Sequence, residues 1–351
     1  MRRAAAFTPI FVLFALAAAV QAAAQPTQRF TLSERRLEVF DAAGTVTLRS
    51  GSGSEIVITA TRAGPDGAAL AFAADHEGSQ SVFRVVFPVD RIDRIADPLE
   101  GSGGHTTLRL SSDGTFGDGH GGHEIRIGGS SGFRGWGNLE IEVPAGREVK
   151  VHVAAGRATL ASVSGDYTLD TWAADVDATD IDGHFLFDTG SGDVRVSRAK
   201  GTMRFDAGSG DCTIEHVGGD LLDIDTGSGD ARATDVAVDR LRLDTGSGDV
   251  EVHQLRARRG RVDTGSGDVE LEYVAGPIDD LSIDTGSGDL TLTLPRDADV
   301  RLVADPGSGG IRVQHAGAIF ERRNEDHTVL RFGEGHGRIT IDSGSGGVTI
   351  R

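Results

Sequence analysis

The sequence predicts an all-β protein whose main body is a parallel β-solenoid, a three-sided β-helix taken as right-handed, behind an irregular β N-terminal cap. Three observations predict it. The hexapeptide Asp-Thr-Gly-Ser-Gly-Asp occurs five times, at Asp188, Asp225, Asp244, Asp263 and Asp284, with a near copy at Asp206. Apolar residues alternate within each copy and change parity three times per period, as three short strands joined by three corners require. Residues one period apart are alike. Leu241, Leu243 and Thr245, then Val250 and Val252, then Leu255 and Ala257 answer Leu222, Ile224 and Thr226, then Ala231 and Ala233, then Val236 and Val238.

That equivalence is what a parallel coil needs, because each side chain then lies on its counterpart one turn below. An antiparallel meander would set unlike residues side by side. Rungs about 4.8 Å apart give a rod roughly 50 Å long from about ten turns. The first glycine of each copy falls at Gly190, Gly208, Gly227, Gly246, Gly265, Gly286 and Gly307, in steps of 18 or 19 and later 21 residues. Trp172 and Ala154 extend the frame upstream. Gly344 lies two periods past Gly307, with a worn copy expected over residues 318–328. Glycine, 50 of 351 residues, gathers at the corners, where backbones approach closely.

Taken in order, Arg2 and Arg3 precede an apolar run from Phe11 to Val20, and Ala22, Ala23 and Ala24 supply the small residues of a cleavage site, so residues 1–24 read as a signal peptide. The run is too short and interrupted for a membrane span. Residues 25–100 form the cap region, with strands expected at 37–40, 45–49, 55–62, 69–73 and 81–89. Residues 101–138, rich in Gly, Ser and His, read as a mobile loop insertion with one strand at 123–127. The solenoid, built of repeats of about 18–21 residues, is expected over 139–351, starting at Leu139-Glu140-Ile141-Glu142-Val143-Pro144. Cys212 is the single cysteine, at an inward position, so no internal disulfide forms.

The strand-Asp-Thr-Gly-Ser-Gly-Asp-strand units, the lead-in Ile141-Glu142-Val143-Pro144-Ala145-Gly146 and the closing Ile339-Thr340-Ile341-Asp342-Ser343-Gly344-Ser345-Gly346 resemble a bacterial family of exported β-strand-repeat proteins. That family is an uncharacterised domain of unknown function, labelled adhesins by fold analogy. The resemblance covers residues 140–351 well and 30–90 weakly. It implies a repeat architecture and an interaction role, and it defines no catalytic or ligand residues.

Two motif matches dissolve on inspection. Phe187-Asp188-Thr189-Gly190-Ser191 reproduces an aspartic-protease string, but that chemistry needs two carboxylates meeting across a cleft, and here the string recurs along one edge. Gly128-Gly129-Ser130-Ser131-Gly132 matches a hydrolase elbow but precedes no helix. The repeated aspartates carry more chemistry. Stacking places Asp188, Asp225, Asp244, Asp263 and Asp284 in one column and Asp193, Asp230, Asp249, Asp268 and Asp289 in a second. Neighbours repel by about 1 kcal/mol in a water-like dielectric. Hydrogen bonds from corner N–H groups or the adjacent Thr hydroxyl offset this, helped by Arg195, Arg232 and Arg242, or else Ca²⁺ bridges the rungs. Arg256, Arg258, Arg259 and Arg261 form a basic corner expected to pair with these columns. His120, His123 and Glu124, with Asp118, read as part of a solvated loop. Trp136 and Trp172 read as caps of the first coil, with stacking on a sugar ring the alternative.

Formal net charge is −18, and removing Arg2 and Arg3 with the signal leaves 33 basic against 53 acidic residues, or −20. Nucleic acid and anionic membranes are repelled, and no membrane insertion is expected after cleavage. The expected function is that of a non-enzymatic exported protein, periplasmic or extracellular, presenting an extended acidic surface to a cell-envelope protein or glycan. A carbohydrate-binding or carbohydrate-active β-helix is the alternative. What separates the two is whether one rung departs from the pattern to gather acid, base and aromatic groups in a cleft.

Overall fold

A computed structural model of the chain describes residues 27–99, 105–117, 121–323 and 327–351; the expected signal segment lies outside them. Strands dominate, and the 3₁₀ turn Gly67–Ala69 is the one helical element among the described residues. No helix there is long and apolar enough to cross a membrane. The repeat stacks in parallel register. Leu222, Ile224 and Thr226 lie beside Leu241, Leu243 and Thr245, and Ala231, Val236 and Val238 lie beside Val250, Leu255 and Ala257, all as the sequence requires.

Each turn has three corners with different chemistry. At the first, Gly-Ser-Gly bends the chain between strands such as Ala231–Thr245 and Val250–Thr264. Successive turns approach so closely there that a Cβ on Gly248 would lie 1.9 Å from the Gly229 carbonyl oxygen, and one on Gly246 2.3 Å from that of Gly227. No L side chain fits. The second corner is one residue in the left-handed region, repeated as Ser162, Asp180, Arg198, His216, Asp235 and Gln254 with φ of 54–57°. The third lengthens the period. A register shift after Gly201 leaves Leu221 beside Thr202 and adds one residue, which turns a step of 18 into 19. The segment between Tyr273 and Asp280 lengthens the next step to 21.

Both ends of the stack depart from chain order. The strand Trp136–Val143, expected to start the main stack, does not pair with the next strand, Arg147–Ala161. Arg36–Ser50 intervenes as a complete rung, parallel to both. A segment assigned to the cap is thus part of the coil, because its Val39, Val46 and Leu48 repeat the inward pattern of Val151, Ala158 and Leu160. At the other end, Gly337–Ser343 and Val348–Ile350 lie between the rung of Asp280–Thr285 and that of Val300–Asp305. Gly344 therefore sits directly on Gly286, and Gly307 on Gly344, the reverse of sequence order. The worn copy expected over 318–328 is instead an antiparallel hairpin, Ile319–Arg323 with Thr328–Phe332, that pairs with Val300–Asp305. Antiparallel strands Thr27–Leu32, Ile56–Ala63 and Ala71–Glu77 close the opposite end. Reversing direction stops the parallel coil from propagating.

The segment 101–138 also differs from expectation. Its described residues include Thr106–Leu110 and His123–Ile127, which form a three-stranded sheet with Arg94–Ile95 and bury Leu108, Leu110, Phe116, Ile125 and Ile127. Alternation at 106–110 and 123–127 lets this polar stretch fold against the coil. Trp136 begins a strand and donates its indole N–H to the Ala96 carbonyl at 3.1 Å.

The core is a narrow ladder. Tyr167, Phe185, Phe187 and Phe205 stack with centroids 5.0–6.1 Å apart, and Cys212 is buried, its thiol pushed up to about 12 by desolvation and then by Asp211 and Asp193. One core position breaks the rule. Asp41 lies in register with Val153, which adjoins Thr171 in the same inward column. It is wholly buried; Oδ1 accepts the Ala43 N–H at 3.2 Å and Oδ2 has no partner. Burial holds its pKa well above the usual carboxylate value.

Two outcomes follow from this packing. Gly248→Ala loses about 3 kcal/mol in urea melts, whereas Ser247→Ala at the exposed position beside it stays within about 0.5 kcal/mol of wild type; equal losses would contradict the close-contact account. For Asp41 the folded pKa is raised, so its stability contribution is complete below the unfolded value near 3.8 and is lost as pH rises toward the folded one. Asp41→Val, matching Val153, is therefore more stable than wild type at pH 8 by about 1–3 kcal/mol, a gain that shrinks toward pH 4.

Candidate functional site

The acidic edge is built by the hexapeptide, each of whose residues has a distinct task. The first Asp faces outward. The Thr points inward, and in four of the five intact copies its hydroxyl closes the turn on the second glycine's carbonyl, as in Thr245 to Gly248 at 2.8 Å and Thr189 to Gly192 at 3.1 Å, while the Thr285 hydroxyl has no partner among the described residues. The backbone N–H of the last Asp donates to the Oδ1 of its counterpart one turn earlier. This ladder runs from Asp193 onto Asp175 at 3.2 Å, then through Asp211, Asp230, Asp249, Asp268 and Asp289 at 2.8–3.2 Å, and ends where Gly347 donates to Asp289 at 2.7 Å.

The two columns therefore differ electrically. The second is hydrogen-bonded throughout by the backbone and paired at two members with arginines, Arg195 to Asp193 at 2.8 Å and Arg232 to Asp230 at 2.7 Å. The Asp249 N–H, with Arg232, lowers the pKa of Asp230. No hydrogen bond among the described residues reaches the carboxylates of Asp206, Asp225 or Asp284 in the first. Desolvation, then Asp244 and Asp206, raises the pKa of Asp225; desolvation, then Asp263 and Asp342, raises that of Asp284. Arg242 approaches Asp244 at 3.6 Å and Arg261 approaches Asp263 at 3.4 Å. The expected basic corner is otherwise spent elsewhere, Arg256 on Asp235, Arg258 on Asp279 and Arg259 on Asp239, because these arginines lie at the second and third corners. Among the described residues no group of three or more His, Cys, Asp or Glu is arranged to hold a metal ion. His123 pairs with Asp90 at 3.2 Å; Asp118 and His120 lie outside the described residues.

Followed toward the N-terminal end, the first column changes character. Below Asp188 and Asp170 the register position passes to His152 and then to Phe40. The His152 ring stacks on Phe40, centroids 4.4 Å apart and 2° from parallel. Nδ1 meets Asp170 Oδ2 at 2.9 Å and Nε2 meets Glu38 Oε1 at 3.0 Å. Burial disfavours the imidazolium, but the two carboxylates outweigh it and raise the His152 pKa; the bond to His152 lowers that of Glu38. Phe116 seals this cluster and tilts against Trp172, centroids 5.2 Å apart.

Trp172 occupies the glycine column because this corner stays extended, inside the unbroken strand Ser164–Thr189. The result is a cleft of about 470 Å³ lined by Trp172, Phe116, Lys150, His152, Asp170 and Asp188, among others. The sequence signal here was Trp172 itself. Glu38 and Phe116 were missed because the first arrives on the intercalated rung, 114 residues from His152, and the second on the folded insertion.

The pH response checks the His152 cluster. Its raised pKa means a contribution fully present below pH 6.5 and lost as pH climbs through the folded value. The stability advantage of wild type over His152→Gln, on the order of 1 kcal/mol, is expected to be largest near pH 6 and to fade by pH 9 in paired thermal melts.

No curated protein matches the chain. The crystal structure of a protein described as a "putative cell adhesion protein" from Clostridium sporogenes aligns with 93% of this chain and 99% of its own, at 8% identity and a TM-score of 0.20, a likeness too low to carry weight. Residues 187–351 match the family model described as Toastrack DUF4097, the span that holds every intact hexapeptide. Over that span, just under half of its length, the chain is similar to the Toastrack DUF4097 family.

Proposed function

We propose that this is a non-enzymatic exported scaffold that presents its acidic edge to a positively charged partner at the cell envelope. The observation that carries the reading is the inequality of the two columns. Backbone N–H groups hold the second in place, whereas Asp225 and Asp284 in the first accept no hydrogen bond among the described residues and crowd their like-charged neighbours. An edge whose carboxylates raise one another's pKa gains free energy from any cation laid along it. Lys or Arg side chains of a partner protein supply that charge, and Ca²⁺ bridging Asp225, Asp244, Asp263 and Asp284 supplies it in a second form. Uniform repetition supports a surface over an active site. Among the described residues the one buried imidazole, His152, has both ring nitrogens engaged by carboxylates.

The first column is tested by converting Asp225, Asp244, Asp263 and Asp284 to Asn together. The quadruple variant is expected to melt higher than wild type in EDTA, since repulsion of about 1 kcal/mol per pair is relieved. Wild type gains a few degrees in millimolar Ca²⁺ or with polylysine, and the variant does not. Identical melting of wild type in EDTA, Ca²⁺ and polylysine would remove the proposal.

A further inference from the structure

We infer that the cleft at the N-terminal end of the acidic column is a saccharide site, taking a neutral or amino-bearing pyranose ring against Trp172. The acidic edge repeats one motif turn after turn, and over the two adjacent rungs Arg147–Ala161 and Ser164–Thr189 three things change. An indole stands where later turns carry glycine, from Gly190 to Gly286. An imidazole replaces the column carboxylate. A folded insertion supplies Phe116 and Gly117 as a wall. The indole is half-buried, tilted against Phe116, and lines the cleft.

The lining chemistry matches a sugar. A pyranose offers an apolar C–H face to an aromatic ring and hydroxyls around its rim. Asp170, on the Trp172 rung, and Asp188, one rung on, line the cleft, and carboxylate oxygens accept from sugar hydroxyls through charge-assisted bonds. Lys150, its side chain 47% exposed and 3.9 Å from Glu38, supplies a donor on the far side. A volume of about 470 Å³ lies within the usual range for small-ligand clefts of about 300–1,000 Å³. Specificity comes from charge. Among the described residues three carboxylates, Glu38, Asp170 and Asp188, line the cleft with two cations, Lys150 and His152, so a uronate or sulfated ring is disfavoured relative to a glucosamine ring.

His152 has a positioning role. Its two bonds fix Glu38 and Asp170, on separate rungs, while its stacking on Phe40 holds the ring plane against the cleft wall. The site is thus preorganised by parts of the chain that come together only because the rung Arg36–Ser50 is intercalated.

The test uses the chain lacking residues 1–24 with Trp136→Phe, so that Trp172 is the sole indole, and follows its fluorescence on titration with cellohexaose, maltohexaose, chitohexaose, chitosan hexamer and hexagalacturonate. Saturable quenching by at least one neutral or amino-bearing oligosaccharide is expected, with none by hexagalacturonate. Isothermal calorimetry then compares variants. Trp172→Gly, which installs the residue of the later turns, and Asp188→Asn each weaken binding at least tenfold, while circular dichroism and melting stay close to wild type. Should Trp172→Gly misfold, Trp172→Phe retains partial affinity and serves in its place. Absence of binding across the neutral and amino-bearing probes, binding confined to hexagalacturonate, or affinity unchanged in both Trp172→Gly and Asp188→Asn would each overturn the inference. The acidic-edge scaffold survives all three outcomes, since its charge test involves none of these residues.

Discussion

The structure depends on carbonyl oxygens of one turn lying almost where a side chain of the next would begin. At the first corner the glycines stack so that a Cβ on Gly210, Gly229, Gly248, Gly267 or Gly288 would come within 1.9–2.0 Å of the preceding turn's oxygen. That contact sets the height of the coil and brings the flanking aspartates into columns. It also lets each Asp N–H reach the carboxylate below. Acidic columns are thus a by-product of close glycine stacking, and the backbone ladder makes one of them tolerable. A second consequence is that the motif has no need of function to persist: Thr, Gly, Gly and the last Asp each satisfy a local demand, and only the exposed Ser and the first Asp are left over.

What could be read from the sequence follows the same line. Wherever the corner repeats, residues 188–293, register was legible to the residue, because one period of shift carries every inward side chain onto its equal. Cys212 in place of Ala231 and Val250 was readable for that reason. The rungs at the ends were not. Arg36–Ser50 and Gly337–Ser343 have the right internal alternation, and both were recognised as strands or relatives of the repeat, but periodicity along the chain carries no information about which non-consecutive segment fills a gap in space. Intercalation is a long-range choice, decided by which free edge offers matching inward residues, such as Val39 beside Val151 or Ile341 beside Ile283. The insertion was misread for a different reason. Its Gly and Ser content masks two five-residue strands whose apolar face is supplied only on docking.

Intercalation at both ends has an energetic meaning. A solenoid with terminal rungs in simple order can fray one turn at a time, since each turn touches only its neighbours. Here the penultimate rung at each end belongs to a segment remote in sequence, so removing the outermost turn means breaking contacts on two separate stretches of chain. The antiparallel hairpins outside them then present edges of reversed polarity, unsuited to extending a parallel coil. Ile319 and Phe320, both 47% exposed, sit on one such edge beside Glu321, Arg322 and Arg323, charges that discourage pairing with another strand.

The same intercalation separates the molecule into a uniform part and a specialised part. Along residues 188–293 every turn brings the same corner aspartates to solvent, while the outward positions beside them vary, as Arg195, Thr213, Arg232, Glu251 and Glu270 do, so an attraction to the aspartates grows with the number of turns engaged. At the N-terminal end the column passes from carboxylate to imidazole to phenyl within three rungs, and each step lowers the negative charge and raises the aromatic content. Charge attraction without directional contacts suits a long polycationic surface; an indole beside fixed carboxylates suits one ring of defined shape. The two proposed kinds of recognition would therefore share one corner, with the aromatic end built next to the rung Arg36–Ser50 that the chain supplies from its N-terminal region.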